Sequence, residues 1–361
     1  MRITFTGDIL CYQSQDRHCM KSDGTYDYAP VFERAKSLFG KSDYVVGSFE
    51  TTCAGKEAGY THADTSFNTP DTFLAALKEA GFCLLTTANN HCLDRGEAGL
   101  LRTIQKIKEY GLEYTGTRMA SSDPEYLLKD FGGTKIAFIS YTYGTNSASN
   151  GHIIPDGKEY LVNLTRPQDA PVHRPFWKRL VLALMPDFIR PKRKSGIVGD
   201  CVSAVEVTSG RNNSYEEAML NTIRKAKRNA DLVLFSLHSG GQFNSTVGSY
   251  TQHLFEIIAD AGADAIICNH AHKILPIYKR KNCIIASALG NYSFVPGEGY
   301  WIDGVHADYS ALLHLDIRDR MIKGYQVDIC RAGINQDGLG VTYSVASEEE
   351  IPPMVKSICS E

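Results

Sequence analysis

Short apolar strands alternate with amphipathic helices along most of the chain, and this alternation limits the fold more than any other feature. In the clearest unit, Phe73 and Leu77 share one helical face. That helix is predicted to start at Thr69-Pro70 and to end at Gly81, before a strand at 82–85. Similar helices are predicted around 100–107, 214–226 and 252–261, the last two followed by strands at 232–235 and 265–268. The pattern predicts an α/β fold in which helices cover a sheet.

We expect a single domain over residues 1–361, with two departures from this alternation. Several prolines fall between about 145 and 200 without a regular period, which indicates an excursion from the core. Two alternating strands at about 312–330 flank Arg318-Asp319-Arg320, a pattern typical of an antiparallel hairpin.

Composition excludes several classes of protein. The chain has 38 Lys and Arg against 41 Asp and Glu, so it lacks the basic surplus of a nucleic-acid binder. No apolar run approaches the roughly 18 residues that a membrane span needs. The N-terminus reads as a strand without a signal-peptide pattern, so we expect a cytoplasmic protein unless a leader precedes this sequence.

Ten cysteines without a CxxC pair are expected to be reduced core thiols, including Cys83, Cys268 and Cys283.

Residues 175–194, within the excursion, form an amphipathic basic segment. On a helix, Trp177, Val181 and Leu184 would share one face. A basic cluster follows: Arg190, Lys192, Arg193 and Lys194. One interpretation is a helix packed on its own domain with solvated basic side chains. The other is a peripheral contact with a membrane surface, a capsule complex or an anionic polymer.

Residues able to bind a metal or transfer protons follow five predicted strands. The carboxyl ends of strands in open α/β sheets form one rim, so these residues are expected to converge. Each alone has an ordinary explanation as a cap or a hydrogen-bonded loop residue. Together they form a mixed oxygen and nitrogen set suited to one or two divalent ions, Mn²⁺, Zn²⁺ or Fe. The predicted metal-binding residues are Asp8, Glu50, Asn90, His238, His270 and His272.

His91 and Asp94 are predicted to act on the substrate rather than on the metal. Asp94 stands three residues after His91, where its carboxylate can hold one ring nitrogen and fix the tautomer. His91 is then a proton donor to the leaving group.

Several sequence blocks resemble the CapA-like capsule (poly-γ-glutamate) synthesis family of the calcineurin-like metallophosphoesterase superfamily. The most specific block is Ala-Asn-Asn-His-x-x-Asp-x-Gly at 88–96, and the resemblance spans about 1–294. The other blocks are Gly7-Asp8, Phe49-Glu50, Phe67-Asn68-Thr69-Pro70, His238-Ser239-Gly240, Asn269-His270-Ala271-His272 and Leu289-Gly290-Asn291-Tyr292. The resemblance implies a four-layer α/β/β/α sandwich of the metallophosphoesterase type.

The resemblance also implies individual roles. It makes Asp8 and His272 ligands of a first metal and Glu50 a bridging carboxylate. It makes the remaining predicted ligands bind a second metal: Asn90, His238 and His270. Leu10 stands where classical members of the superfamily have a ligating His, so the first site is expected to be poor in ligands. Asn291 and Arg95 are predicted to bind substrate.

The sequence therefore predicts a metal-dependent hydrolase related to capsule or poly-γ-glutamate biosynthesis. A metal-bound water would attack a phosphoryl or acyl centre of a small molecule or an anionic polymer. The choice between a phosphoester and a γ-glutamyl amide stays open. One alternative is a non-catalytic accessory subunit of a capsule or cell-wall polymer assembly complex. Another is a binding domain whose histidines are ordinary core and loop residues.

Overall fold

The computed structural model describes residues 1–61, 66–171, 213–293, 306–345, 348–353 and 355–356. In these ranges the chain forms fourteen strands and seven α-helices, with four short 3₁₀-helices. The α-helices are α1 (Gln13–Cys19), α2 (Ala35–Phe39), α3 (Thr72–Ala80), α4 (Gly96–Glu109), α5 (Ser147–Asn150), α6 (Asn213–Asn229) and α7 (Ser249–Asp260).

The first sheet combines a parallel half with an antiparallel half. Its strands are β1 (Arg2–Ile9), β2 (Tyr44–Phe49), β3 (Leu84–Thr86), β4 (Glu113–Thr115), β11 (Asn291–Ser293), β12 (Tyr309–Arg318), β13 (Met321–Ile334) and β14 (Gly340–Ser344). The order is β14-β13-β12-β1-β2-β3-β4, and β11 also pairs with β1. Strands β1 to β4 and β11 pair in parallel, whereas β12 pairs antiparallel with both β1 and β13.

The second sheet has a parallel centre and antiparallel edges. Its strands are β5 (Leu127–Asp130), β6 (Lys135–Thr142), β7 (Leu232–His238), β8 (Ala265–Asn269), β9 (Ile274–Arg280) and β10 (Cys283–Leu289). The order is β5-β6-β7-β8-β10-β9. Strands β6, β7, β8 and β10 are parallel, so their carboxyl ends lie at the same edge.

Apolar side chains of both sheets form one buried cluster. It joins Phe5 and Val46 of the first sheet to Phe138 and Leu234 of the second, so the sheets pack face to face. On its opposite face the first sheet packs against α3, and the second packs against α6 and α7. Burying each large apolar side chain contributes about 1.5–3 kcal/mol, and this packing holds the carboxyl ends of the two sets of strands in place.

The predicted α/β fold is confirmed, in the form of two sheets. The predicted end of α3 is also correct, because Gly81 adopts the left-handed conformation with φ of 108°. The predicted start at Thr69-Pro70 is wrong, since α3 begins at Thr72. The amide of Thr69 donates to the Thr52 carbonyl at 2.8 Å, so Thr69 belongs to the loop that precedes the helix.

The C-terminal hairpin forms as predicted between β12 and β13. Asp319 and Arg320 take positive φ values of 51° and 58°, as a two-residue turn between twisted antiparallel strands requires.

The proline-rich excursion is described only over its first part. Residues 145–171 contain α5 and a 3₁₀ turn at Glu159–Leu161. The basic segment at 175–194 lies outside the described residues. Among the helices that the structure describes, none is long and apolar enough to cross a membrane.

The cysteines of the described residues are free thiols. Cys268 and Cys283 are buried in strands, as expected. Cys83 is only half-buried, because it precedes β3 instead of lying within it, and the expectation of a core thiol is wrong there.

Candidate metal centre

The predicted metal ligands come from the carboxyl ends of strands in both sheets. The first sheet supplies three, at the ends of β1, β2 and β3: Asp8, Glu50 and Asn90. The second supplies three more, at the ends of β7 and β8: His238, His270 and His272. None of the six residues is more than 6% exposed. Because both sheets contribute residues, the site lies where the two sheets meet.

Glu50 is shared by two groups of potential metal ligands. One group joins Glu50, His238 and His270, and the other joins Asp8, Glu50 and His272, with ligand atoms within 4.8 Å of one another in each. Glu50 Oε1 lies 3.4 Å from His238 Nε2 and 3.8 Å from His272 Nε2. The predicted bridging role of Glu50 is compatible with this shared position and stays a prediction.

Asn90 adds an oxygen to the first of these groups. Its Oδ1 lies 2.7 Å from His238 Nε2, which in turn faces Glu50. An amide oxygen, a carboxylate and imidazole nitrogens together form a donor set suited to Mn²⁺, Zn²⁺ or Fe.

Several donor atoms of the cluster are buried without a hydrogen-bond partner. These are both carboxylate oxygens of Glu50 and the Nδ1 atoms of His238 and His270. Leaving a buried polar atom unpaired is unfavourable by about 1–3 kcal/mol, and by more for a charged group. Because a divalent cation would satisfy these atoms, the residues present fit a metal.

The carboxylates and imidazoles affect one another's charge. Burial and the nearby Glu50 carboxylate raise the pKa of Asp8 well above its usual value. Burial alone would raise the pKa of Glu50, but the imidazoles of His272 and His238 outweigh it and lower that pKa. Burial lowers the pKa of His238 and, well below its usual value, that of His270. Low pKa values keep these imidazoles neutral, which is the form that binds metals.

Asp8 is held in place by two donors that sequence reasoning missed. Ser48 Oγ donates to Asp8 Oδ1 and the His270 amide donates to Oδ2, both at 2.9 Å. Ser48 reaches Asp8 because the two residues are register partners in adjacent strands β1 and β2. These donors fix the orientation of the carboxylate toward the histidines.

The turn after β8 has an unusual backbone. His270 and His272 have φ values of 103° and 55°, a region that residues other than glycine rarely adopt. Such strained positions concentrate at functional sites. The turn places His270 in one ligand group and His272 in the other, with ring centroids 5.8 Å apart.

Asn291 contacts a histidine of the cluster. Its Oδ1 lies 2.8 Å from His272 Nδ1, which leaves Nε2 of His272 directed at Glu50. This contact orients His272 and fixes its tautomer. The predicted contact of Asn291 with substrate stays a prediction.

His91 and Asp94 form a close pair beside the cluster. His91 Nδ1 is 2.6 Å from Asp94 Oδ2, and the same oxygen accepts the amide of Phe67 at 2.7 Å. His91 Nε2 points toward Glu50 Oε1 at 3.9 Å. Burial alone would lower the pKa of His91, but the Asp94 carboxylate outweighs it and the pKa is raised. A raised pKa keeps a proton available on His91.

The Arg95 guanidinium is largely committed to neighbouring protein groups. It donates to the carbonyls of Ala58 and Gly59 at 3.0 Å each, to the Asp94 carbonyl and to the Ser66 hydroxyl. These bonds tie the loop at 58–59 to the start of α4, and the predicted contact of Arg95 with substrate stays a prediction.

Leu10 lies in an apolar wall beside the group formed by Asp8, Glu50 and His272. It is 1% exposed and packs with Tyr12, Phe67 and Phe243. The Phe243 ring also lies against His272, with centroids 5.6 Å apart. An apolar side chain at this position adds no donor, so Asp8, Glu50 and His272 form the smaller set of candidate ligands.

Fold and site together define a class: a mixed α/β protein with two sheets and a buried ligand cluster suited to divalent metals. The sequence model of the family described as "Bacterial capsule synthesis protein PGA_cap" matches residues 2–295. The chain belongs to this family, and the CapA-like resemblance is confirmed.

Two curated relatives carry names from capsule biosynthesis. The "Capsule biosynthesis protein CapA" of Bacillus anthracis is 26% identical over 327 residues, covering 88% of this chain and 64% of the relative. The "PGA biosynthesis protein CapA" of Bacillus subtilis (strain 168) is 24% identical over 296 residues, covering 81% of this chain and 63% of the relative. The match thus spans less than two thirds of the length of each relative.

Solved structures show a more distant likeness. A hypothetical protein from Thermus thermophilus has 13% identity and a TM-score of 0.44, covering 91% of this chain and 98% of that chain. A 5'-nucleotidase from Candida albicans has 10% identity and a TM-score of 0.41, covering 99% of this chain and 56% of that chain.

Proposed function

We propose that this chain is a metal-dependent hydrolase of capsule or poly-γ-glutamate biosynthesis. The observation that carries the proposal is the cluster around Glu50, a buried carboxylate without hydrogen-bond partners that two ligand groups share. The names of the two Bacillus relatives support the biosynthetic setting.

The residues divide into two sets of candidate ligands. Asp8 and His272 would hold one ion, and a second would be held by three residues: Asn90, His238 and His270. Glu50 belongs to both sets. When bound, divalent ions lower the pKa of water and neutralise charge on a phosphoryl or acyl group. Ser48 and the His270 amide keep Asp8 oriented for its ion.

His91 supplies the proton for the leaving group. Its Nε2 faces the cluster while Asp94 holds Nδ1, so the proton on Nε2 is directed toward the reacting group. The raised pKa of His91 keeps that proton in place until it is transferred.

The packing of helices on both sheets supports a finer description of the fold. We propose that α3, the two sheets and the α6–α7 pair are the four layers of an α/β/β/α sandwich of the metallophosphoesterase type. The ligands then lie at one edge of the two central layers.

The substrate is a phosphoester or a γ-glutamyl amide, as a small molecule or as part of an anionic polymer. A direct test loads the purified protein with Mn²⁺ or Zn²⁺ and assays phosphomonoesters, phosphodiesters and γ-glutamyl amides beside the His91→Ala variant. We expect one class to be hydrolysed, at least about 10²-fold faster by the wild type than by the variant. A metal-loaded protein that hydrolyses none of them contradicts the proposal and favours the accessory-subunit alternative.

A further inference from the structure

The chain that leads from β6 into the proline-rich excursion touches two parts of the candidate centre. Directly after β6, the Tyr143 ring packs on the His270 ring, with centroids 5.0 Å apart. At the end of α5, Asn150 Nδ2 donates to Asp94 Oδ1 at 3.4 Å. The excursion therefore contacts one candidate metal ligand and also the carboxylate that holds His91.

The Asn150 contact falls on the oxygen of Asp94 that His91 does not use. Oδ2 of Asp94 lies 2.6 Å from His91 Nδ1 and accepts the Phe67 amide at 2.7 Å. The Asp94 carboxylate is buried, and a buried carboxylate needs donors for both oxygens. With Oδ2 and Oδ1 both engaged, the plane of the carboxylate is fixed, and the His91 ring is fixed with it.

Hydrogen bonds within the excursion set the orientation of the Asn150 amide. Its Oδ1 accepts the His152 amide at 2.9 Å, and its Nδ2 also donates to the Thr145 carbonyl at 2.8 Å. A side-chain amide nitrogen carries two hydrogens, one for Thr145 and one for Asp94. Because the oxygen is already engaged with a donor, the nitrogen is the atom that faces Asp94.

The same part of the excursion is docked on the start of α4, two residues after Asp94. Gly96 has a φ of 64°, and a Cβ on it would come within 3.2 Å of His152 Nδ1. Lys158 forms an ion pair with Glu97 at 2.6 Å. Helix α5 is also held from its other side, because Ser147 Oγ donates to the Asp169 carbonyl at 2.7 Å. These contacts hold Asn150 against Asp94.

We propose that Asn150 is a positioning residue for the His91–Asp94 pair. It holds Asp94 Oδ1, so that the carboxylate keeps the His91 ring turned with Nε2 toward the reacting group. Asn150 acts through Asp94 and needs no contact with the substrate or a metal. The inference rests on the proposed function, in which His91 gives a proton to the leaving group.

The kinetic test compares substrates that differ in their need for that proton. The probes are phosphomonoesters, phosphodiesters and γ-glutamyl amides, each with an activated p-nitrophenyl leaving group and with an ethyl leaving group. In Mn²⁺-loaded Asn150→Ala, kcat for the hydrolysed ethyl probe should fall about tenfold or more, with KM nearly unchanged. On the p-nitrophenyl probe, kcat should fall less than about twofold, because a weakly basic leaving group needs little protonation.

Ser149→Ala is the matched control, because Ser149 is exposed in the same turn of α5 and its hydroxyl contacts the Asn146 carbonyl. We expect this variant to behave like the wild type on both probes. An equal loss of kcat on the two probes by Asn150→Ala indicates a structural residue and overturns the proposal. An unchanged kcat on the ethyl probe overturns it as well.

A second readout tests the contact with Asp94 in the metal-free protein. In Asp94→Asn, the side-chain oxygen should stay where it accepts from His91 and Phe67. The new amide nitrogen then replaces Oδ1 and cannot accept from Asn150. Asn150→Ala should therefore lower the thermal unfolding midpoint by at least about 1 °C more in the wild-type background than in Asp94→Asn.

The two readouts separate this proposal from the proposed function. An equal change of the unfolding midpoint in both backgrounds means that Asn150 does not act on Asp94, and it overturns the proposal. A metal-loaded wild type that hydrolyses none of the probes contradicts the proposed function. The unfolding comparison then still decides whether Asn150 holds the Asp94 carboxylate.

Discussion

His91 and His238 are both buried imidazoles beside Glu50, yet their second ring nitrogens meet different surroundings. His91 Nδ1 is bonded to Asp94, whereas His238 Nδ1 is buried without a hydrogen-bond partner, 3.7 Å from Asp8 Oδ1. Asp94 orients His91 for proton transfer, whereas His238 keeps an unpaired Nδ1 that is available to a metal ion. We therefore expect the two histidines to respond differently to substitution.

Replacing His91 by Ala, or Asp94 by Asn, should lower turnover by about 10²–10⁴-fold, because a positioned acid is lost or misdirected. Bound metal should stay nearly unchanged. Steady-state kinetics on the hydrolysed substrate, with elemental analysis of the same samples, checks both expectations. If His91→Ala empties the site of metal, His91 is a ligand and its assigned role is wrong.

Replacing His238 by Ala should remove metal and activity together, since His238 belongs to a ligand group with Glu50. The matched control is His253→Ala on α7, whose side chain is 34% exposed and contacts Glu216 away from the cluster. The control should keep both metal and activity. Normal metal content in His238→Ala would exclude His238 as a ligand.

Helix α1 carries a buried carboxyl group, that of Asp16, which the proposed chemistry does not use. Asp16 Oδ1 accepts the Tyr28 hydroxyl and, at 3.1 Å, the Cys11 thiol, while Oδ2 is buried without a partner. Burial raises the pKa of Asp16 from its ordinary 3.8 to about 6. The folded protein therefore binds more protons than the unfolded chain between these two values.

This pKa gives a sign to the pH dependence of stability. The contribution of Asp16 to the free energy of unfolding is fully present below about pH 4 and is lost as the pH rises through about 6. Asp16→Asn should match the wild type near pH 4 and exceed it by roughly 3 kcal/mol at pH 7, at about 1.4 kcal/mol per pKa unit. Urea unfolding at both pH values tests this. A variant that is less stable than the wild type at pH 7 would show that the ionised carboxylate stabilises α1.

The convergence of the site residues could be predicted from the order of the secondary-structure elements. Parallel strands end at a common edge, so an apolar run followed by Asp8, Glu50 or His238 was enough to predict convergence. The structure places these side chains within one buried cluster. The left-handed turn at Asp319-Arg320 was predictable for a similar reason, because a two-residue connection permits few conformations.

The remaining features depend on tertiary contacts. Asn291 reaches His272 because β11 pairs with β1, and Ser48 reaches Asp8 through the register of β1 and β2. Neither pairing has a local signal in the sequence. His270 takes a φ of 103°, a value that the local sequence likewise does not signal.

The cluster of candidate ligands lies between the two sheets of the molecule. Each sheet supplies three candidate ligands, so a bound ion would link the sheets in the folded protein and would find no preformed site in the unfolded chain. Ligand binding to the folded state alone stabilises it by about 2.7 kcal/mol at a hundredfold excess over Kd.

Loading with Mn²⁺ or Zn²⁺ should therefore raise the thermal unfolding midpoint, and a chelator should reverse the rise. Scanning calorimetry of the metal-free and loaded protein measures the shift, with the Glu50→Gln variant expected to show little of it. An equal shift in that variant would mean that the metal stabilises the protein from another place.

Elemental analysis of the Mn²⁺ or Zn²⁺ bound per chain, in the wild type and in Glu50→Gln, tests directly whether the buried cluster holds a metal. Glu216→Gln is the control, because Glu216 is also buried but lies beside His253. We expect at least one ion in the wild type and the control, with unequal filling of two sites because Leu10 adds no ligand. We expect Glu50→Gln to lose both ions, because both groups of candidate ligands share this carboxylate. A wild type without metal, or a Glu50→Gln variant with the same content as the wild type, would contradict the proposed metal centre.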